Sequence, residues 1–119
     1  MFSEVVQDHF YNPRNTGPLE NATHQAVIGM PGDGPYMELW FQVETATIRR
    51  ATYRTYGCPA AVASASLIAE LSTGRSISTL LSITCADILK LLGDLPPNKI
   101  ECAQMAVDAV HRAFRPPSQ

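Results

Sequence analysis

The sequence predicts an α+β fold in which a three-stranded antiparallel sheet packs against a layer of helices. Apart from a short first helix, strand-like segments occupy residues 25–56 and helical segments follow Gly57. The two-residue link at Thr45 and Ala46 suits an antiparallel hairpin. Strands followed by helices indicate α+β rather than an alternating α/β arrangement. With 119 residues, the chain has room for one domain, which we place at 1–119.

A helix is predicted over residues 4–10, since Ser3 can cap it and Glu4 suits its first turn. The segment 12–18 ends this helix because it is rich in Asn, Pro and Gly. A first strand is predicted at 25–30. The loop that follows, at 31–35, consists almost wholly of turn-forming residues.

Two further strands are predicted at 37–44 and 47–56. The first shows the period-two alternation of a half-buried strand. Its two predicted faces are Met37, Leu39, Phe41 and Val43 on one side and Glu38, Trp40, Gln42 and Glu44 on the other. The second alternates less cleanly but is rich in Thr, Tyr and Ile, which favour strands.

The remaining helices are predicted from their end signals. Pro59 suits the first position of a helix over 60–71, and a short helix follows at 76–82. Thr84 begins a capping box before a helix that Gly93 closes. Residues 95–99 are expected to form an extended linker. The last helix has one apolar stripe for the sheet, formed by Ile100, Ala103, Val107, Val110 and Phe114.

Composition excludes several classes of function. The formal net charge is −2 and the nine Lys and Arg residues form no long run, so no nucleic-acid surface is expected. No apolar run approaches the roughly 20 residues that a membrane span needs. The first residues lack the pattern of a targeting signal. Three widely spaced cysteines do not resemble a disulfide framework, so we expect a cytoplasmic protein with reduced thiols.

Cys58 and Cys102 are the residues best suited to chemistry. Cys58 lies between Gly57 and Pro59, at the predicted N-cap of a helix, where free N–H groups and the helix dipole stabilise a thiolate. Cys102 lies in the first turn of the last predicted helix. Both thiols could therefore meet at one end of the sheet, where they would bind metal or attack sulfur compounds. The alternative is that both are small buried hydrophobic side chains.

Four segments of the chain resemble landmarks of the IscU/NifU-type iron–sulfur scaffold proteins. They occur in that family's order and spacing and cover nearly the whole chain. They are YNPRNTG at 11–17, YRTYGCPA at 53–60, ASASL at 63–67 and LPPNKIEC at 95–102. The resemblance implies a three-stranded antiparallel sheet with a helix layer, in agreement with the prediction above. It also implies a cargo site at one end of the fold.

The resemblance assigns Cys58 and Cys102 to the second and third of three family cysteines. Asp33 stands in place of the first cysteine, Pro35 in place of an aspartate, and Glu101 where a histidine is usual. The implied metal ligands are therefore Asp33, Cys58, Glu101 and Cys102. Zinc accepts two oxygens and two sulfurs, whereas an iron–sulfur cluster is normally held by thiolates. The expected cargo is a transient [2Fe–2S] cluster or zinc.

The resemblance further implies a scaffold or sulfur-acceptor protein rather than an enzyme. Such proteins receive sulfur from a cysteine desulfurase and pass a cluster to apo iron–sulfur client proteins. The thiolate of Cys58 or Cys102 would take the persulfide sulfur. The segment from Leu95 to Lys99 is similar to the one that a DnaK-type chaperone recognises in IscU proteins. A rigid linker would explain its two prolines equally well.

Two other functions stay open. A divergent zinc-binding or metal-free interaction protein could have kept the fold after losing cluster assembly. Replacement of the first cysteine favours this alternative, and the two retained cysteines disfavour it. An enzyme with Cys58 as nucleophile would have the right helix N-terminus, but no base or oxyanion hole is evident in the sequence.

The other candidate ligands show no metal-binding spacing. Cys85 lies beside the predicted capping box and matches no family ligand, so a structural thiol is expected. His9, His24 and His111 are scattered over three predicted elements. We expect these histidines to be at the surface or hydrogen-bonded within the fold.

Overall fold

The computed structural model describes residues 2–30, 32, 34, 36–93 and 95–114. In this part of the chain, helices and strands follow one another in the predicted order. The strands are β1 (His24–Gly29), β2 (Tyr36–Glu44) and β3 (Thr47–Tyr56). The helices are α1 (Glu4–Tyr11), α2 (Pro59–Ser72), α3 (Ile77–Leu81), α4 (Cys85–Leu92) and α5 (Ile100–Ala113), with a 3₁₀ turn at Pro97–Lys99.

The sheet is antiparallel with the strand order β1-β2-β3, which confirms the predicted meander. Leu39 at its centre pairs with Ala26 on one side and Tyr53 on the other. The β2–β3 hairpin turns at Thr45 and Ala46, whose φ angles are 52° and 60°. Two successive left-handed residues match the right-handed twist of the strands, although Thr45 is β-branched and adopts this conformation at a steric cost.

One face of the sheet forms the core together with α2 and α5. Met37, Leu39 and Phe41 of β2 are fully buried on this face. Helix α2 lies over β3, and α5 lies over β1 and β2. Small side chains on both helices allow their backbones to approach the sheet closely. The fully buried alanines are Ala60, Ala63, Ala65, Ala69, Ala103, Ala106 and Ala109.

The opposite face of β2 is more covered than its alternation predicted. Glu38 and Trp40 alternate with the core residues, yet each is only 6% exposed. The Glu38 carboxylate accepts hydrogen bonds from Gln25, Tyr36 and Arg54, the last at 3.0 Å. The Arg54 guanidinium also lies 5.5 Å from the Trp40 ring centroid. The prediction of a half-buried strand is therefore wrong for this segment, because long side chains of the flanking strands cover its second face.

The predicted helix ends agree with the structure. Ser3 caps α1 by accepting a hydrogen bond from the Val6 N–H at 3.2 Å. Thr84 and Asp87 form the capping box of α4, and Gly93 closes that helix with a φ of 79°. None of the described helices is long and apolar enough to cross a membrane.

Two predictions before and at the start of α5 are wrong. Residues 97–99 form a 3₁₀ turn rather than an extended linker. Ile100 is 38% exposed, although Ala103, Val107 and Val110 of the same stripe are buried. Helical side chains lean toward the N-terminus, so the side chain of the first helical residue extends past the end of the helix instead of onto the sheet.

Candidate functional site

Cys58 lies at the junction between β3 and α2. Tyr56 ends the strand, and Cys58 is the N-cap of the helix with an extended backbone. Gly57 is required between them, because a Cβ there would lie 3.0 Å from the Cβ of Ala61. Pro59 occupies the first helical turn, where a backbone N–H has no intrahelical partner to lose. This local sequence places Cys58 at a helix N-terminus, as predicted.

Cys102 is the third residue of α5 and meets Cys58 at the same end of the fold. The two thiols are close enough for each to affect the ionisation of the other. Cys102 is only 4% exposed, whereas Cys58 is half-buried. Helices α2 and α5 pack side by side, which brings their N-terminal cysteines together. The predicted convergence of the two cysteines is therefore present in the structure.

The electrostatic surroundings of Cys58 favour its thiolate. Burial opposes ionisation, but the backbone N–H groups of Ala61 and Ala60 stabilise the negative charge. The Cys102 thiol and the Lys99 ammonium add to this effect, so the pKa of Cys58 lies below its ordinary value. The uncharged side chain makes no capping hydrogen bond. The Ala61 N–H also donates to the Cys58 carbonyl oxygen at 3.0 Å, so a thiolate would share this group.

Cys102 has the opposite character. Burial and, next to it, the neighbouring Cys58 with its charge raise the pKa of Cys102 to about 12. Glu101 raises the pKa further, and Lys99 acts against the rise. Cys58 is therefore the first of the two thiols to ionise as the pH rises, while Cys102 keeps its hydrogen.

Glu101, the other predicted ligand that the structure describes, is not brought into one cluster with the thiols. Asp33 and Pro35 lie outside the described residues. Glu101 is exposed on the first turn of α5. Among residues 2–30, 32, 34, 36–93 and 95–114, no three His, Cys, Asp or Glu side chains stand close enough to hold a metal ion. The described part of the site therefore supplies two thiols, and the assignment of Asp33 and Glu101 as ligands stays a prediction.

Lys99 is the residue of this site that sequence reasoning missed. In the sequence it is only the end of a predicted linker, yet it is the N-cap of α5 and its charge acts on both Cys58 and Cys102. Its position three residues before Cys102, in the turn that leads into the same helix, was the available signal.

The segment from Leu95 to Lys99 connects this site to the surface. Leu95 is 8% exposed and anchors the segment in the core. Pro97 and Asn98 are exposed on the 3₁₀ turn. A protein that binds this turn would therefore lie next to Lys99, whose charge affects the ionisation of both thiols.

The remaining candidates lie away from the thiols. Cys85 is half-buried at the first position of α4. His9 is 4% exposed and bonded to Ser66, which agrees with the expected hydrogen-bonded role. His24 begins β1, and His111 is exposed near the end of α5. These positions give no support to a histidine ligand.

Comparisons with known proteins place the chain in a family. The family model described as NifU-like N terminal domain matches residues 1–116. The chain is 38% identical over 114 residues to iron-sulfur cluster assembly scaffold protein IscU 1 of Archaeoglobus fulgidus, which covers 96% of this chain and 74% of that relative. It is 39% identical over 117 residues to the IscU scaffold protein of Escherichia coli K12, which covers 95% and 91%.

Solved structures agree on the fold. A crystal structure from Fervidobacterium islandicum, described as an iron–sulfur cluster assembly scaffold for the SUF system, has a TM-score of 0.79 at 17% identity and covers 96% of each chain. The N-terminal part of a NifU-like protein from Brucella abortus has a TM-score of 0.77 at 14% identity and covers 95% of this chain and 91% of that one. The chain therefore belongs to the NifU-like N-terminal domain family, the IscU/NifU type that its motifs resemble.

Proposed function

We propose that this protein is an iron–sulfur cluster assembly scaffold or sulfur acceptor that holds its cargo at Cys58 and Cys102. The observation that carries the proposal is the placement of two thiols, which affect each other's ionisation, at the N-terminal ends of two helices that pack together. Thiolates are the form that binds iron or zinc and that attacks persulfide sulfur. The relatives named as iron–sulfur cluster assembly scaffold proteins support the same role.

The cargo requires more ligands than the two thiols. We propose Asp33 and Glu101 as the oxygen ligands, because they take the places of two family ligands in the sequence. Two thiolates and two carboxylates suit zinc in tetrahedral geometry. A [2Fe–2S] cluster on the same groups would be held less firmly than by thiolates alone. A scaffold that passes its cluster on can function with such a weak site.

The proposed partners are a cysteine desulfurase, apo iron–sulfur client proteins and a DnaK-type chaperone. The desulfurase would approach Cys58, which is the more accessible thiol of the pair. The chaperone would bind the segment from Leu95 to Lys99. In this segment Asn98 stands where IscU proteins usually have a valine. Because Asn98 is exposed, Asn98→Val should strengthen chaperone binding without lowering stability. Unchanged binding by calorimetry would contradict this assignment.

The test of the proposed cargo is the metal and acid-labile sulfide content of anaerobically purified protein. We expect iron with matching sulfide, or about one equivalent of zinc as a four-ligand site would hold. Cys58→Ala and Cys102→Ala should both lose the metal. The matched control is Cys85→Ala, which removes a half-buried thiol outside the pair and should retain it. Equal metal content in all four proteins would contradict the site.

The proposed role of Asp33 has its own test. Asp33→Ala should lower metal affinity, and Asp33→Cys should give a stable coloured cluster after anaerobic reconstitution with iron and sulfide, because a third thiolate would be present. The same two changes at Glu101 separate the contributions of the two carboxylates. A colourless Asp33→Cys protein would count against the whole ligand set.

A zinc-binding or metal-free interaction protein is the second candidate. The observation that favours it is in the sequence, where Asp33 and Pro35 stand in place of the first cysteine and the usual aspartate of the family. Under this alternative, zinc alone or no metal would be found, and added iron and sulfide would form no cluster. Binding of a partner to the thiol end of the fold would nevertheless persist in Cys58→Ala.

A further inference from the structure

We propose that a groove at the C-terminal end of α2 docks an acidic amphipathic helix of a partner protein. The groove lies between α2, the connection from α3 to α4 and α4 itself, and its volume is about 350 Å³. The six residues that line it are Leu71, Arg75, Ile83, Asp87, Lys90 and Leu91. None of them belongs to the proposed cargo site. The inference therefore adds an interaction surface to the proposed function and does not depend on it.

Three of the side chains that line the groove are apolar. Leu71 and Ile83 are half-buried and pack against the hydrophobic core. Leu91 is 48% exposed, whereas its neighbour Leu92 is fully buried. A single exposed leucine is common on protein surfaces. Three apolar side chains around one concave surface instead provide a site at which a partner can bury apolar area.

Two cations border these apolar side chains. Arg75 and Lys90 are exposed, and neither forms an ion pair with another residue of the described chain. Arg75 Nε donates a hydrogen bond to the Leu71 carbonyl oxygen at 2.6 Å, which holds the guanidinium beside the groove. The remaining guanidinium N–H groups of Arg75 can then bind a carboxylate of a partner at two points.

The acidic residue of the groove does not cancel this positive charge. Asp87 Oδ2 accepts a hydrogen bond from the Thr84 N–H at 3.0 Å in the capping box of α4. The Asp87 carboxylate therefore stabilises the N-terminus of its own helix. Arg75 and Lys90 remain as the charges that a partner can neutralise. A partner segment that carries acidic side chains beside apolar ones complements the groove in both charge and polarity.

The walls of the groove determine which conformation the partner adopts. Both α2 and α4 are helices, whose backbone groups are bonded within each helix. An extended segment would therefore find no sheet edge here with which to pair its own backbone groups. A helix satisfies those groups internally and presents apolar side chains at spacings of three and four residues. Proteins commonly recognise an amphipathic helix by binding its apolar face in such a groove.

The groove and the thiol site lie at opposite ends of α2. Cys58 is the N-cap of this helix and Leu71 lies in its last turn, so about 20 Å along the helix axis separate them. A partner helix can therefore occupy the groove while the thiol end stays open to cargo or to another protein. Binding at the groove should accordingly be the same in Cys58→Ala as in the wild-type chain.

The test uses the full chain and a synthetic helical peptide of roughly 15 residues. Leucines at spacings of three and four form one face of the peptide, and glutamates flank them. A control peptide has lysines in place of the glutamates. In a titration followed by ¹⁵N–¹H NMR, the acidic peptide should shift the amide signals of the lining residues. It should bind at least about tenfold more tightly than the basic peptide at low salt, and added salt should reduce this difference.

Substitutions in the chain separate the two contributions. Leu91→Gln should weaken binding of the acidic peptide about tenfold, because the most exposed apolar contact of the groove is lost. Arg75→Gln and Lys90→Gln should each weaken it about threefold, since exposed ion pairs contribute less. The matched control is Met30→Gln, which changes a 65% exposed apolar side chain outside the groove and should leave the affinity unchanged. Thermal unfolding of every variant excludes a folding defect.

Four results would overturn the proposal. Equal affinity for the two peptides would contradict the charge complementarity, and signal shifts confined to residues outside the groove would contradict the site. Shifts of the lining residues by sodium decanoate but not by the acidic peptide would assign the groove to a single-chain carboxylate. Self-association of the chain in sedimentation, lost in Leu91→Gln, would assign it to a second copy. None of these results depends on metal content, so the cargo site is tested separately.

Discussion

Helix α2 carries two polar clusters that use their hydrogen-bonding groups differently. Near its middle, the buried Ser66 Oγ is bonded to His9 Nδ1 at 2.8 Å and to the Arg14 backbone N–H at 3.2 Å. Glu70 lies one turn further along the helix, with its carboxylate 3.9 Å from His9 Nε2. At the N-terminus of the same helix, Cys58 makes no capping hydrogen bond.

The Ser66 cluster stabilises the fold, whereas the helix N-terminus at Cys58 favours a reactive thiolate. Partners within the protein satisfy the Ser66 hydroxyl, and the bonds hold α1 and the following loop against α2. The helix N-terminus at Cys58 keeps N–H groups available, and these groups stabilise a thiolate. A buried polar group with its partners contributes to folding, whereas a helix end without a neutral cap can serve chemistry. Substitutions should therefore affect the two clusters in opposite ways.

The largest expected effect is the difference in reactivity between the two thiols of the pair. At neutral pH, iodoacetamide should alkylate Cys58 at least about a hundredfold faster than Cys102, because only the thiolate reacts and Cys102 is buried with a raised pKa. Peptide mapping over a time course measures both rates in one sample. Similar rates for Cys58 and Cys102 would contradict the difference in acidity and exposure between the two thiols.

The next effect concerns the Ser66 cluster and has a matched control on the same helix. Ser66→Ala should lower the free energy of unfolding by about 1–3 kcal/mol, because His9 Nδ1 and the Arg14 N–H lose a buried partner. Ser64 is equally buried, but its hydroxyl bonds only to the Ala60 carbonyl of its own helix. Ser64→Ala should therefore cost less than Ser66→Ala in urea unfolding. Equal losses would mean that the cluster adds nothing beyond packing.

The same cluster should make stability depend on pH. Burial, reinforced by the Arg14 charge, holds the pKa of His9 below its ordinary value of 6.5. The unfolded chain then binds more protons than the folded chain below pH 6.5, so this contribution is present above that pH and is lost as the pH falls toward the folded-state pKa. The free energy of unfolding should therefore fall as the pH is lowered from about 7.5 to 5.5.

The control for this pH dependence is a histidine that is exposed. His9→Gln should remove the dependence from urea unfolding curves, whereas His111→Gln should leave it in place because His111 is exposed. A dependence that survives His9→Gln would assign the acid sensitivity to another group.

Of these predictions, Cys58→Ser should change the measured free energy of unfolding least. Serine is a preferred N-cap residue, and Cys58 has the extended backbone that such a cap uses. The substitution should leave the free energy of unfolding unchanged or raise it by up to about 1 kcal/mol. It should at the same time abolish the sulfur chemistry proposed above. A large loss of stability would indicate that the thiol is a structural group like Ser66.

Much of the fold could be predicted from the sequence because its signals are local. Ser3, Thr84 and Gly93 mark helix ends through contacts within a few residues, and all three predictions are confirmed. The alternation in β2 identified the strand, but not the cover on its second face. That cover depends on Arg54 and Gln25, which come from the two neighbouring strands.

In the site, too, local features could be predicted from the sequence, and contacts between distant residues could not. Gly57 and Pro59 flank Cys58 directly, so the sequence alone was enough to predict a cysteine at a helix N-terminus. The role of Lys99 was missed because its charge acts across a turn rather than through a recognisable motif. The unequal pKa values of the two thiols also required the structure, because burial and mutual contact cause the difference.

The sequence by itself determined the order of the helices and strands, the N-cap position of Cys58 and the membership of a family. These features depend on residues within a turn or two of each other, or on motifs in a fixed order. Tertiary structure alone decided that Cys58 lies near Cys102 and that His9 is buried against Ser66. The physical reason is that these partners are far apart along the chain, and packing of α1 and α5 against α2 brings them together.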